Sequence, residues 1–206
     1  MVRIGAWLWA LLVLVALPSW SADVAAGKTA FAVCAACHGQ DAMGNQAMNS
    51  PKTAGQEPWY VARQLQAFKD GIRGTAPGDV FGAQMRPMAL ALATPQAIDN
   101  VVAYIATLPV KPAPVSVQGD VAAGKQLYAV CAACHGQKAE GNQQLNSPRL
   151  AGQNDWYLVR QLEAYKKGLR GSNPKDVYGA QMKPMVATLT TEQAIKDVVA
   201  YINSLQ

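Results

Sequence analysis

The sequence predicts an all-α protein built from two tandem copies of one small domain, and three observations predict it. From Asp23 onward the chain repeats at a constant offset of 97 residues: Asp23–Pro109 aligns with Asp120–Gln206 without a gap, and about 55 of the 87 pairs are identical. A period this long signals duplicated domains, not a solenoid. Apolar residues recur with helical spacing, as in Ile98, Val101, Val102, Ile105 and again in Ile195, Val198, Val199, Ile202, the i, i+3, i+4, i+7 pattern of a buried helix face. No stretch shows the apolar–polar alternation of a half-buried strand.

Taken in order, residues 1–21 have the form of a secretory signal peptide. Arg3 supplies the charged start, Ile4 to Leu17 the apolar core, and Ser19 and Ser21 the small residues before the cut. The apolar run is short of the about 20 residues a membrane span needs; an uncleaved N-terminal anchor is the lesser alternative. The first domain, 22–109, opens with Asp23 as the N-cap of a helix on which Gly27 and Phe31 share a face. Glu57 to Lys69 is amphipathic and ends near Gly71, and a last helix starts at Thr94-Pro95, with Pro at its first position. Residues 110–119 form a linker whose two prolines favour an extended path. Ten residues reach at most about 35 Å, so the centres of the two domains can lie close together. The second domain, 120–206, repeats the plan with Asp120, Gly124 and Tyr128, the stretch Asp155 to Lys167 ending near Gly168, and a last helix from Thr191-Glu192. Domains of this size have small cores and usually need a staple.

The staple is written in the cysteines. Cys34-Ala-Ala-Cys37-His38 recurs as Cys131-Ala-Ala-Cys134-His135, and these motifs use all four cysteines and both histidines of the chain. C-x-x-C-H is the attachment motif of c-type haem. The two thiols add across the porphyrin vinyl groups, and the adjacent histidine sits under the iron. Cys34, Cys37, Cys131 and Cys134 are therefore the expected covalent anchors of two haem c groups, with His38 and His135 as proximal ligands. A thioredoxin-like pair would need a strand before it and a βαβ context. A four-thiolate zinc site would leave both adjacent histidines unexplained. Disulfides within each motif are the remaining alternative. No histidine is left for general-base work, so no enzymatic activity is expected.

The opposite iron position needs a second ligand, and a thioether is the natural candidate when no histidine remains. Met85 and Met88 stand in one copy, Met182 and Met185 in the other; Met43 and Met48 are replaced by Glu140 and Leu145 in the repeat. Met85 and Met182, nine positions before the capping Thr94 and Thr191, are preferred, with Met88 and Met185 the alternatives. The formal charge is +5, or +4 without Arg3, before the haem propionates are counted. No basic run is interleaved with aromatics as nucleic-acid binding would want.

With Ala54-Gly55-Gln56, Tyr60 and Gln64-Leu65 repeated as Ala151-Gly152-Gln153, Tyr157 and Gln161-Leu162, the whole mature chain resembles the dihaem cytochrome c4 family, two tandem class I cytochrome c domains each wrapping one covalent haem. The resemblance implies that the first Met of each Met segment, Met85 or Met182, is the distal ligand. The spacing to the capping Thr is one residue longer than the family's, which keeps Met88 and Met185 open. It also implies that the backbone carbonyls of Pro51 and Pro148 accept the Nδ1–H of the proximal histidines, and that Trp59, Tyr60 and Arg63, with Trp156, Tyr157 and Arg160, approach the propionates; ordinary core packing for the aromatics and a solvated helix face for the arginines are the alternatives.

The function so implied is that of a periplasmic, possible membrane-associated electron carrier, passing electrons by outer-sphere transfer from a quinol-oxidising complex such as cytochrome bc1 to a terminal oxidase. A second reading is the electron-accepting subunit of a periplasmic dehydrogenase. A dihaem peroxidase-like enzyme would need dissimilar halves and an open iron. Arg86 and Lys183, beside the Met segments, are candidates for a docking patch toward acidic redox partners, with plain solvation as the alternative.

Overall fold

The structure is a computed structural model, and it describes residues 21–206; the signal peptide read over 1–21 falls outside these residues apart from Ser21. Eight helices follow one another among the described residues: α1 (Val24–His38), α2 (Pro58–Lys69), α3 (Val80–Leu90), α4 (Pro95–Ala106), α5 (Val121–His135), α6 (Asp155–Lys166), α7 (Val177–Ala187) and α8 (Glu192–Asn203). Among the described residues only two isolated bridges, Asn45 with Ser50 and Asn142 with Ser147, have β character. The all-α expectation holds.

Each domain is organised by a crossing of its first and last helices. The Asp23 carboxylate accepts the N–H groups of Ala25 and Ala26 at 2.8 and 3.0 Å, satisfying two of the orphan donors at a helix start. The Asp23 N–H donates in turn to Asn100 Oδ1 on α4 at 2.8 Å. Just inside the helix, Gly27 brings the two backbones together: a Cβ there would lie 1.9 Å from the Asn100 carbonyl oxygen. Phe31 and Ala35 then bury against Ile98, Val101, Val102 and Ile105. The second domain repeats the crossing with Asp120, Gly124 and Asp197, and buries Tyr128 against Ile195, Val198 and Val199. Thr94 and Thr191 cap α4 and α8 through Ala97 N and Ala194 N at 3.1 and 3.0 Å.

Three helices per domain are legible in the sequence; the structure has four. The Met-bearing segments are helical, α3 and α7, capped by Asp79 and Asp176, whose carboxylates accept Gly82 N and Gly179 N at 3.0 and 2.9 Å. Pro87 and Pro184 inside these helices mask the helical signal, because proline removes a ladder donor and ordinarily marks a break.

The domains dock face to face with two-fold-like reciprocity. Arg63 on α2 donates to Asn146 Oδ1 and O at 3.0 and 2.9 Å; its counterpart Arg160 on α6 donates to Asn49 Oδ1 and O at 3.1 and 2.8 Å. The linker is fixed rather than loose. Asp155, fully buried, accepts Ser116 N, Ser116 Oγ and Val117 N at 2.5, 2.5 and 2.8 Å. The buried Lys52 ammonium donates to the carbonyls of Lys111 and Gly152 at 2.6 and 2.8 Å. Among the described residues no single helix is long and apolar enough to cross a membrane.

Candidate functional site

Each C-x-x-C-H motif forms the last turn of the first helix of its domain. The chain then wraps underneath. A loop with left-handed residues at Gly39, Ala42, Gly44 and Asn49 returns the backbone so that Gly44 N–H donates to the His38 carbonyl at 2.9 Å and the Pro51 carbonyl reaches the His38 ring. His38 Nδ1 lies 2.7 Å from Pro51 O, and His135 Nδ1 lies 2.7 Å from Pro148 O. A carbonyl only accepts, so Nδ1 carries the proton and Nε2 is left with its lone pair free. Burial lowers the pKa of both rings below the ordinary histidine value, and the proline carbonyls offset only part of that shift. Both imidazoles are thus held neutral and oriented, the state a metal ligand requires.

Both rings line one cavity of about 1440 Å³ that runs through the two domains. Ligand sites for single drug-sized molecules span roughly 300–1,000 Å³, so this cavity is of a size for two large groups. Cys34, Cys37, Cys131 and Cys134 line it, and none is paired in a disulfide. Among the described residues no cluster of three or more His, Cys, Asp and Glu side chains assembles, which sets aside a shared zinc site. Met85, Met88, Met182 and Met185 all line the cavity. Met88 and Met185 are 41% and 36% exposed; Met85 and Met182 are half-buried. Met43 packs into the first core. Met48 reaches the cavity wall from an exposed position.

The wall between the domains carries four arginines and is where the sequence reading needs amendment. Arg63 and Arg160 are not solvated. They span the interface, and each stacks on rings of both domains, Arg63 at 5.0 Å from Trp59 and 4.8 Å from Tyr178, Arg160 at 5.0 Å from Trp156 and 4.5 Å from Phe81. Arg73 and Arg170 lie beside them, outside the sequence reading. Arg73 donates to Gln64 Oε1, Gln161 Oε1 and Tyr157 Oη at 2.7, 2.9 and 3.2 Å, and Arg170 makes the mirror-image set to Gln161, Gln64 and Tyr60 at 2.8, 3.1 and 3.2 Å. The signal that could have found them is their retention in both copies, as Ile72-Arg73-Gly74 and Leu169-Arg170-Gly171. Burial would raise the Tyr157 hydroxyl, but the Arg73 and Arg170 guanidiniums outweigh it and lower its pKa.

All four guanidiniums line the cavity and none forms a salt bridge among the described residues. The Nε–H groups of Arg160 and Arg170 are buried without a partner. Orphaned cationic donors on an apolar cavity call for an anion, and the propionate carboxylates of haem fit that need. The Arg86 Nε–H is likewise buried without a partner, against the turn at Gly71 and not on the cavity wall, and Lys183 donates to Ser172 Oγ at 3.0 Å.

The comparisons agree with this chemistry. The cytochrome c family model matches twice, over residues 24–109 and 121–206. Cytochrome c4 of Azotobacter vinelandii is 32% identical over 196 residues, 89% of each chain. The thiosulfate dehydrogenase electron acceptor of Thiomonas intermedia (strain K12) is 35% identical over 182 residues, 83% of this chain and 76% of that one. The crystal structure of reduced recombinant cytochrome c4 from Pseudomonas stutzeri superimposes with a TM-score of 0.70 at 28% identity, covering 90% of this chain and all of that one. With two attachment motifs, two oriented histidines and a double match to the family, this chain belongs to the cytochrome c family and is a dihaem electron carrier of the cytochrome c4 kind, holding two covalent haem c groups.

Proposed function

We propose that the protein is an exported, periplasmic shuttle that accepts electrons from a quinol-oxidising complex and delivers them to a terminal oxidase. In each domain His38 or His135 would hold the iron from one side and Met85 or Met182 from the other. The observation that carries this reading is the placement of a neutral, carbonyl-oriented histidine and a half-buried methionine on one cavity in both halves alike. Bound there, haem supplies a one-electron couple whose potential His/Met ligation raises. The protein orients the ligands, shields the group from water and offers the interfacial arginines to its carboxylates. Matched halves leave no distinct open site of the kind a peroxidase uses. The domain limits 22–109 and 120–206, with 110–119 as linker and 1–21 as signal peptide, belong to the same proposal.

Carbon monoxide added to the fully reduced protein tests it: an unchanged spectrum is expected, and a shift at either haem would reopen the enzyme reading. Met85→Ala and Met182→Ala should each abolish the Met-ligated ferric signature of one haem, while Met88→Ala and Met185→Ala preserve it; the reverse result would move the ligand to the second Met. A second role, acceptor subunit of a periplasmic dehydrogenase, is favoured by the 35% identity to a thiosulfate dehydrogenase electron acceptor. Reduction of the purified protein by such a dehydrogenase, set against its oxidation by oxidase-containing membranes, separates the two roles.

A further inference from the structure

The joints between the domains fall on the two peptides that orient the histidines, and they differ in charge. The peptide joining Pro51 to Lys52 gives its carbonyl to His38 Nδ1 and its N–H to Asn154 Oδ1 of the second domain, at 2.7 and 2.6 Å. The peptide joining Pro148 to Arg149 gives its carbonyl to His135 Nδ1 and its N–H to Glu57 Oε2 of the first domain, at 2.7 and 2.8 Å. Glu57 and Asn154 are equivalent positions of the repeat. Their surroundings also match: Gln56 and Gln153 side chains donate across the interface to Arg149 O and Lys52 O at 3.1 and 3.0 Å. Both acceptors sit over a left-handed glycine, where a Cβ would meet Asn154 Oδ1 at 2.7 Å above Gly44 and Glu57 Oε1 at 2.6 Å above Gly141. The joints differ at the acceptor, an amide in one and a carboxylate in the other, and at the residue that supplies the N–H, a buried Lys52 in one and an exposed Arg149 in the other. Among the described residues no cation forms a salt bridge with Glu57, and the Arg149 guanidinium turns away to Ala151 O at 3.3 Å.

We propose that Glu57 sets the reduction potential of the haem in the opposite domain, lowering it through the Pro148–Arg149 peptide. This rests on His38 and His135 being the iron ligands. A carboxylate accepting a peptide N–H polarises that peptide and makes its carbonyl a stronger acceptor, because linked hydrogen bonds reinforce one another. The imidazole that donates to that carbonyl gains basicity and pushes more electron density onto the iron, which favours the oxidised form. The negative charge close to the site acts in the same direction. Asn154 gives the first haem the same geometry without the charge. Each domain thus tunes its partner, and duplication followed by one substitution makes the two centres inequivalent.

The test is a redox titration of the holoprotein, followed by the haem-methyl proton resonances of the ferric form. These are assigned to a domain through residues that differ between the copies, such as Phe31 and Tyr128. Glu57→Gln keeps the acceptor oxygen and removes the charge. It should raise the potential of the second-domain haem alone, by about tenfold in its oxidised-to-reduced ratio, or about 59 mV for one electron. Asn154→Asp should lower the first-domain haem alone by a comparable factor. Two silent variants, or equal shifts of both haems, would overturn the proposal. A wild-type ferric spectrum without the low-spin His/Met signature would bring down the ligand assignment and this proposal with it; silent variants with that signature intact bring down this proposal only.

Discussion

In the first domain Phe31 packs on Tyr104 with ring centroids 5.3 Å apart; in the second, Tyr128 packs on Tyr201 at the same 5.3 Å and adds a hydroxyl that donates to the Gly136 carbonyl at 2.8 Å, beside the attachment motif. In the first, the turn after the motif is closed by Asp41, whose carboxylate accepts Met43 N at 3.2 Å. In the second the carboxylate has moved two positions, and Glu140 accepts Lys138 N at 2.8 Å. Pro58 opens α2, whereas Asp155 opens α6 and fastens the linker. The cysteines, histidines, prolines and paired methionines around the cavity are the same in both halves. Among the positions where the halves differ are those at the joints, to the linker, to the other domain and behind the histidine. Two copies of one site can therefore work at different potentials without either ligand set changing.

The comparison breaks most severely if one centre is removed. His38→Ala and His135→Ala should each abolish the low-spin signature of their own haem and leave the other, visible as a halved His/Met band in the ferric spectrum. Next in size is the helix crossing. Gly124→Ala places a methyl 1.9 Å from the Asp197 carbonyl oxygen, an overpacking that costs on the order of 3 kcal/mol. Guanidinium unfolding read at each haem should then show the second domain melting first, and Gly27→Ala should reverse the order. Asp155→Asn tests the linker joint, which has no first-domain counterpart. It weakens the bonds to Ser116 and Val117 at a cost of about 1–3 kcal/mol and should increase proteolysis within 110–119. Burial pushes the Asp155 carboxyl up, but the hydrogen bonds from Ser116, Val117 and Trp156 outweigh it and hold the pKa below the ordinary aspartate value. The stability it contributes is therefore present at neutral pH and lost as pH falls through that depressed pKa. The Asn variant should lack this part of the acid dependence. Smallest is Tyr128→Phe, which makes the second core resemble the first; loss of one hydrogen bond should cost about 1 kcal/mol, measured as an earlier unfolding midpoint of that domain alone.

Much of the molecule is decided within short stretches of chain. The N-caps Asp23, Thr94, Asp120 and Thr191 and the two attachment motifs act through neighbours a few residues away, and the apolar stripe from Ile98 to Ile105 shows in its spacing, so each is legible in the sequence. Helix α3 was hidden because Pro87 looks like a break, although the Asp79 cap and the packing of the segment override it. Retention in both copies singled out Met85 and Met88, and the spacing to the capping Thr94 favoured Met85 with Met88 as the alternative.

The amino-acid sequence by itself determined that there are two equivalent centres, what is attached at each, and that helices carry them, because those properties follow from local geometry and covalent chemistry. Only the tertiary structure decided that Arg63 and Arg160 bridge the domains, that Arg73 and Arg170 interlock with the tyrosines of both halves, and that Glu57 and Asn154 stand behind the histidine peptides of the opposite copy. These partners lie 83 to 111 residues apart along the chain. Their meeting depends on how two finished surfaces dock, and no periodicity or motif within either copy encodes it.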